Sequence, residues 1–124
     1  MEIIHLIGQV LFGGYFVSQG INHFKNSKAL VGYASARKIP NPSMAVFFTG
    51  VLLLLGGLGV LLYGFIPYTL TAISFILLLV FLIPVTFMMH SYWKLTDPQE
   101  KMIEMVNFMK NLALIGAVLS MMYW

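Results

Sequence analysis

The longest apolar part of the sequence runs from Met44 to Met89 and contains no charged residue. A break at Gly64–Pro67 divides it into two halves, and each half provides the ~20 apolar residues that a helix needs to cross a bilayer. Two further apolar stretches flank this region. The sequence therefore predicts four membrane-spanning helices, at about residues 3–24, 44–63, 68–89 and 105–124.

Composition leads to the same fold class. Of the 124 residues, 60% are hydrophobic and 9% are charged, whereas about 25% of residues are charged in soluble domains. A chain this short cannot bury so much apolar surface in one soluble core, so the excess must face the lipid bilayer. We predict a single all-α domain over residues 1–124, an integral membrane four-helix bundle. It leaves no room for a nucleic-acid module, so no nucleic-acid partner is expected.

Proline residues indicate where helices begin. Asn41-Pro42 and Asp97-Pro98 each resemble an N-cap residue followed by proline at the first helical position. Glu100, three residues after Asp97, completes a capping box. We therefore expect the fourth helix to begin at Pro98, before it enters the membrane. Residues 25–41 form an extramembrane loop whose mixture of apolar and basic residues is typical of a short interfacial helix.

The basic residues predict the orientation of the bundle. With four spans, the first and third loops lie on one side of the membrane, and all seven Lys and Arg residues lie in those loops or in the first turns of the fourth span. The positive-inside rule makes that side cytoplasmic. We predict that both termini face outward from a prokaryotic cytoplasmic membrane. The basic residues are Lys25, Lys28, Arg37, Lys38, Lys94, Lys101 and Lys110.

Polar residues gather at the same end of the predicted bundle. Ionisable side chains within spans are costly in lipid, so they are functional candidates by default. We expect these polar residues to converge on one pocket, because topology places them at one membrane level and helical phase aligns them. The candidate ligand-binding residues are Asn22, His23, His90, Trp93, Glu104, Asn107, Lys110 and Asn111.

Three interpretations of this cluster stay open. Asparagine between spans forms interhelical hydrogen bonds, so the cluster could be structural only. It could instead hold a polar ring such as a quinone, whose carbonyl oxygens would accept hydrogen bonds while Trp93 or Phe108 stacks on the ring. Haem bound by His23 and His90 is the third and less favoured interpretation, because the sequence contains no metal-ligand spacing. No metal site and no catalytic residue are predicted.

Several motifs resemble those of a known family. PVTFMMHSYW, from Pro84 to Trp93, is followed by Asp97-Pro98 and then by E-x-x-x-F-x-KN-x-AL-x-GA from Glu104 to Ala117. This pattern resembles the DoxX family of small four-span membrane proteins, and the resemblance covers essentially the whole chain. It implies a four-helix membrane bundle associated with quinone-linked respiratory chemistry. The family's namesakes are small subunits of a terminal quinol oxidase and of thiosulfate:quinone oxidoreductase.

The resemblance and the polar cluster together suggest a function. We expect a small integral-membrane subunit of a quinone-linked, respiratory-type oxidoreductase complex, with quinone as the expected cofactor. The alternative is a structural or assembly scaffold subunit with no ligand of its own. Either function calls for partner subunits in the membrane or a homo-oligomer. A stand-alone enzyme is the least favoured, because no nucleophile–base pair is visible, and the absence of cysteine excludes thiolate and iron–sulfur chemistry.

Overall fold

The computed structural model describes residues 2–122, and these residues are helical apart from short connections. They form no β-strand, and an isolated bridge joins Tyr63 to Ile66. The predicted all-α fold class is confirmed. The helices are α1 (Glu2–Lys25), α2 (Ser27–Ala36), α3 (Pro42–Leu61), α4 (Tyr68–Met89) and α5 (Pro98–Met121), and a 3-10 turn covers Tyr92–Lys94.

Three segments are both long enough and apolar enough to cross a membrane. They are α3, α4 with the turn that follows it, and α5. Large apolar side chains stay exposed on the surface, such as Leu11 at 69% and Phe65 at 80%. A surface of this kind is stable in lipid and not in water, because apolar area exposed to water is costly. The chain is an integral membrane protein.

α1 has the length of a span, but polar residues such as Gln9 lower its apolar content. It runs antiparallel to α3, with Gly13 against Gly57 towards one end and His23 against Gly50 towards the other. Because α1 follows α3 over most of its length, the two helices lie at the same depth. This pairing supports a fourth span, which stays a prediction.

Glycines on two faces of α3 let its neighbours approach closely. A Cβ atom on Gly57 would lie 2.7 Å from the backbone nitrogen of Val17 in α1. On another face, a Cβ atom on Gly59 would lie 1.6 Å from Oγ of Ser74 in α4. Larger side chains would force the helices apart, so these glycines seat α3 between α1 and α4. α5 packs against α4 and completes the bundle.

The helix starts agree with the proline-based predictions, with one correction. α5 begins at Pro98, and the Asp97 carboxylate accepts the backbone N–H of Glu100 at 3.0 Å, as predicted. α3 begins at Pro42, but Asn41 forms no side-chain cap. Asn41 has a left-handed backbone, with φ of 46°, whereas a capping side chain needs an extended backbone to reach the first-turn N–H groups. The predicted end of the fourth span at Trp124 lies outside the described residues.

α2 occupies the loop in which the sequence predicts a short helix. It packs against α3 and α1, and its Ala34 side chain is buried. The helix covers the end of the bundle at which α1 and α4 finish and α3 and α5 begin, called here the α2 end. Its position in the membrane interface, and the side of the membrane on which it lies, stay predictions.

Candidate functional site

A cavity of about 390 Å³ lies at the α2 end of the bundle. All five helices contribute to its walls, and α2 together with Ile39 and Pro40 covers its end. Most of the lining is apolar, and the volume falls within the range of about 300–1,000 Å³ typical of small-molecule sites. The aromatic side chains in the walls are Tyr15, Phe16, Tyr33 and Phe81.

Five of the eight candidate ligand-binding residues line this cavity. They are His23 from α1, His90 at the end of α4, and Asn107, Lys110 and Asn111 from α5. Their convergence follows from the directions of the helices, because the last turns of α1 and α4 and the first half of α5 meet at the α2 end. The structure thus brings these five residues to one cavity, and ligand binding in it stays a prediction.

Two other candidates lie away from the cavity. The Asn22 side chain pairs with Asn26 of the same chain segment, because it is rotated about 100° around α1 from the cavity-lining His23. Trp93 lies in the 3-10 turn, is 49% exposed, and packs edge-on against Phe108 at 5.5 Å between ring centroids. Neither Trp93 nor Phe108 lines the cavity, so neither is placed to stack on a ring held there.

The eighth candidate, Glu104, is a buried carboxylate, 2% exposed. Its Oε2 atom accepts from Nη2 of Arg37 at 2.6 Å, from Nε of Arg37 at 3.2 Å and from Oη of Tyr33 at 2.5 Å. Its Oε1 atom accepts from Nδ1 of His90 at 3.0 Å and from Nδ2 of Asn107 at 2.9 Å. One carboxylate therefore ties α2, α4 and α5 together, and a buried charge is tolerated when it is paired in this way.

Sequence reasoning missed Tyr33 and Arg37, the two members of this network that come from the α2 segment. Burial and the neighbouring Glu104 carboxylate raise the pKa of Tyr33 above its usual range. Hydrogen bonding to Glu104 also raises the pKa of the Arg37 guanidinium. Tyr33 therefore stays a hydroxyl donor and Arg37 stays charged. One signal points to the pair, because an acidic residue at the end of a span needs a cation. Arg37 is such a cation, although the count of basic residues uses it only to predict topology.

Two further polar contacts cross or line the cavity. Nζ of Lys110 donates to Oη of Tyr15 at 3.2 Å, which links α5 to α1. Nδ1 of His23 lies 2.8 Å from the carbonyl oxygen of Gln19 in its own helix. Because a carbonyl oxygen can only accept, His23 must carry a hydrogen on Nδ1, which leaves its Nε2 atom available.

Asn111 differs from these neighbours because nothing satisfies it. Its side chain is 5% exposed and lines the cavity, yet it forms no side-chain hydrogen bond to any residue in the range 2–122. Among the described residues, the fully buried polar side-chain atom that lacks a partner is Oγ1 of Thr71, so the Asn111 amide is not sealed in the protein but opens onto the cavity. Such a group on a cavity wall is well placed to bind a polar atom of a ligand.

Metal binding has little support in this region. Among residues 2–122, no group of three or more His, Cys, Asp or Glu side chains could hold a metal ion. His23 and His90 both line the cavity, and the hydrogen bond that each forms through Nδ1 leaves its Nε2 atom as the ring nitrogen that could bind a metal. The arrangement can hold a molecule with a polar head and an apolar body, with donors and acceptors placed around the head.

Comparison with known proteins identifies the family. The DoxX family model matches residues 4–91, well over half of the chain. No curated protein and no solved structure matches the chain. The match ends before α5, so the α5 side of the cavity lies beyond the matched region. The recognition made from the motifs is confirmed: the chain belongs to the DoxX family.

Proposed function

We propose that this protein is a small integral-membrane subunit of a quinone-linked oxidoreductase complex, and that its cavity holds the quinone ring. The observation that carries this proposal is the Asn111 amide, which opens onto a largely apolar cavity and has no hydrogen-bond partner among the described residues. A quinone combines a carbonyl acceptor for such an amide with an apolar ring and tail. Family membership supports the proposal, because the resemblance implies quinone-linked chemistry.

The residues around Asn111 suit a ring with two oxygen atoms. Lys110 and Asn111 are adjacent in α5 and both line the cavity, so each can donate a hydrogen bond to a ring oxygen. Phe16 and Phe81 offer apolar surface on which the ring can pack. A quinone, when bound, supplies two-electron, two-proton redox chemistry, and the chain itself binds and orients the ring.

An Asn111→Leu variant tests the proposal. Leucine has a similar size and no polar atoms, so it removes the ligand contact without depriving any described residue of a hydrogen bond. We expect stability to be kept or increased, while affinity for a short-chain quinone falls about three- to tenfold, the effect of one net hydrogen bond. The measurements are thermal unfolding and quinone titration in mild detergent, with mass spectrometry of quinone that co-purifies.

Asn22→Leu is the matched control, because Asn22 is a polar residue of α1 that does not line the cavity. This variant should bind quinone like the parent protein. If Asn111→Leu binds quinone as well as the parent does, or if the parent neither retains nor binds any quinone, the proposed site does not exist.

The alternative, a scaffold subunit without a ligand, is favoured by one observation. The Glu104 network satisfies its buried polar groups within the protein and joins three helices without any ligand. Under this alternative the protein purifies free of quinone and together with partner subunits or further copies of itself. Native mass spectrometry of the complex extracted from its membrane distinguishes the two functions.

A further inference from the structure

The hydrogen bonds of Glu104 decide which polar atoms stay available on one wall of the cavity. An ionised carboxylate can only accept hydrogen bonds, and the Arg37 guanidinium, 2.6 Å away, keeps Glu104 ionised. Tyr33, His90 and Asn107, which all line the cavity, must therefore each direct one hydrogen to Glu104.

The atoms left for a ligand follow from the donor and acceptor inventory of each side chain. The Tyr33 hydroxyl has given its only hydrogen and retains its lone pairs. His90 carries its hydrogen on Nδ1, so its Nε2 atom is an acceptor when the ring is neutral. Asn107 retains its amide oxygen and one N–H. This wall is therefore rich in acceptors, and Glu104 makes it so.

We infer that this wall favours a ligand that brings hydroxyl hydrogens, so that the cavity binds a hydroquinone more tightly than the corresponding quinone. Glu104 is the positioning residue that sets this preference. The inference rests on the proposed function and adds to it the form of the ligand that the site prefers.

The preference has a simple origin. A hydroquinone can donate its O–H groups to Nε2 of His90 or Oη of Tyr33, and its other oxygen can still accept from Asn111 or Lys110. A quinone offers only acceptor oxygens, so at the Glu104 wall its carbonyl oxygens would face the acceptor atoms Nε2 of His90 and Oη of Tyr33 and form no hydrogen bond with them. Sites built to pair with a ligand hydroxyl discriminate strongly against analogues that lack the hydrogen, because the protein's own polar atoms are then left unpaired.

The test is an anaerobic titration of the full chain in mild detergent, at mildly alkaline pH, with three matched probes. They are tetramethylhydroquinone, tetramethylbenzoquinone and the dimethyl ether of the hydroquinone, which keeps the ring and its oxygens but has no hydrogen to donate. We expect the hydroquinone to bind about fivefold or more tightly than either of the others, the effect of at least one net hydrogen bond.

Glu104→Gln tests the positioning role. The glutamine amide is itself a donor, so the neighbouring side chains no longer all need to direct hydrogens to position 104. The ratio of hydroquinone to quinone affinity should fall towards one. Asp97→Asn is the matched control, because it neutralises another carboxylate of the α5 segment and keeps a good N-cap residue. Its affinity ratio should equal that of the parent.

A second measurement covers the case in which Glu104→Gln does not fold. Nitrogen NMR of the parent protein, labelled at histidine and assigned with His90→Gln, should show the hydrogen of His90 on Nδ1, and a hydroxyl ligand should shift the Nε2 signal. A hydrogen on Nε2 in the neutral ring would overturn the inference.

The possible failures are distinguishable. Binding of the quinone as tightly as the hydroquinone overturns the inference and leaves the proposed function standing. An affinity ratio unchanged by Glu104→Gln overturns the role assigned to Glu104. Binding of none of the three probes overturns the proposed function, and the inference with it.

Discussion

Replacing Arg37 with alanine breaks the buried ion pair with Glu104. Removing one partner of a fully buried pair costs about 3–5 kcal/mol, because the other charge is left uncompensated. In this protein the Glu104 side chain is only 3% exposed, but the Arg37 side chain is 20% exposed. Glu104 also keeps its bonds from Tyr33, His90 and Asn107. We therefore expect a cost below this range, a loss of about 2–3 kcal/mol in the free energy of unfolding.

The assay is reversible unfolding in mixed micelles, followed by circular dichroism, for Arg37→Ala, Glu104→Ala and the double variant. Direct contact should give a coupling free energy of about 1.5–3 kcal/mol, the range for hydrogen bonds to charged groups. Lys28→Ala removes an exposed basic residue of the same helix and should change stability by less than about 0.5 kcal/mol. A coupling free energy indistinguishable from zero would refute the pairing of α2 with α5.

Three further predictions concern the bundle. Asp97→Ala should weaken the start of α5 by about 0.5–2 kcal/mol, which faster hydrogen exchange at the Glu100 amide would reveal and unchanged exchange would contradict. Gly57→Ala should lower the free energy of unfolding by about 1–3 kcal/mol, measured by thermal unfolding, because the new methyl group collides with α1. Gly14→Ala, with nothing within 4 Å of the new methyl group, should be neutral or slightly stabilising. Equal effects of the two substitutions would contradict the close approach of α1 and α3. Reporter fusions should be active in the cytoplasm after Arg37 and outside it at the C terminus, and the reverse pattern would refute the predicted orientation.

Much of the fold can be predicted from the sequence, because its signals are local. Uncharged stretches of sufficient length predict spans in any context. Pro42 and Pro98 mark the starts of α3 and α5 because proline after an N-cap residue is favoured at the first position of a helix. The capping interaction of Asp97 is local in the same way. Asn41 could not be predicted, because its left-handed backbone depends on how the preceding loop returns to the bundle.

The site could be predicted only in part, for a related reason. His23 and His90 line the same cavity because helix direction and helical period place them at one end of the bundle, and both features can be read from the sequence. The partners of Glu104 cannot be identified from the sequence in this way, because Tyr33 and Arg37 are separated from it by 71 and 67 positions along the chain. Periodicity says nothing about how a loop folds back over the end of a bundle. The sequence predicts Trp93 in the pocket, but α4 ends at Met89, so the period of that helix does not give the position of Trp93.

The separation between Arg37 and Glu104 also has a consequence for how the chain is made. Proteins are synthesised and fold from the N terminus, so α1, α2, α3 and α4 precede Glu104 on the ribosome. During that interval Arg37 and Tyr33 have no carboxylate to bind, and the cavity lacks the wall that α5 provides. The cavity therefore comes into existence only when the last helix docks. Any molecule that it holds therefore enters after α5 has been made, because a chain that stops before Glu104 lacks the α5 wall of the cavity.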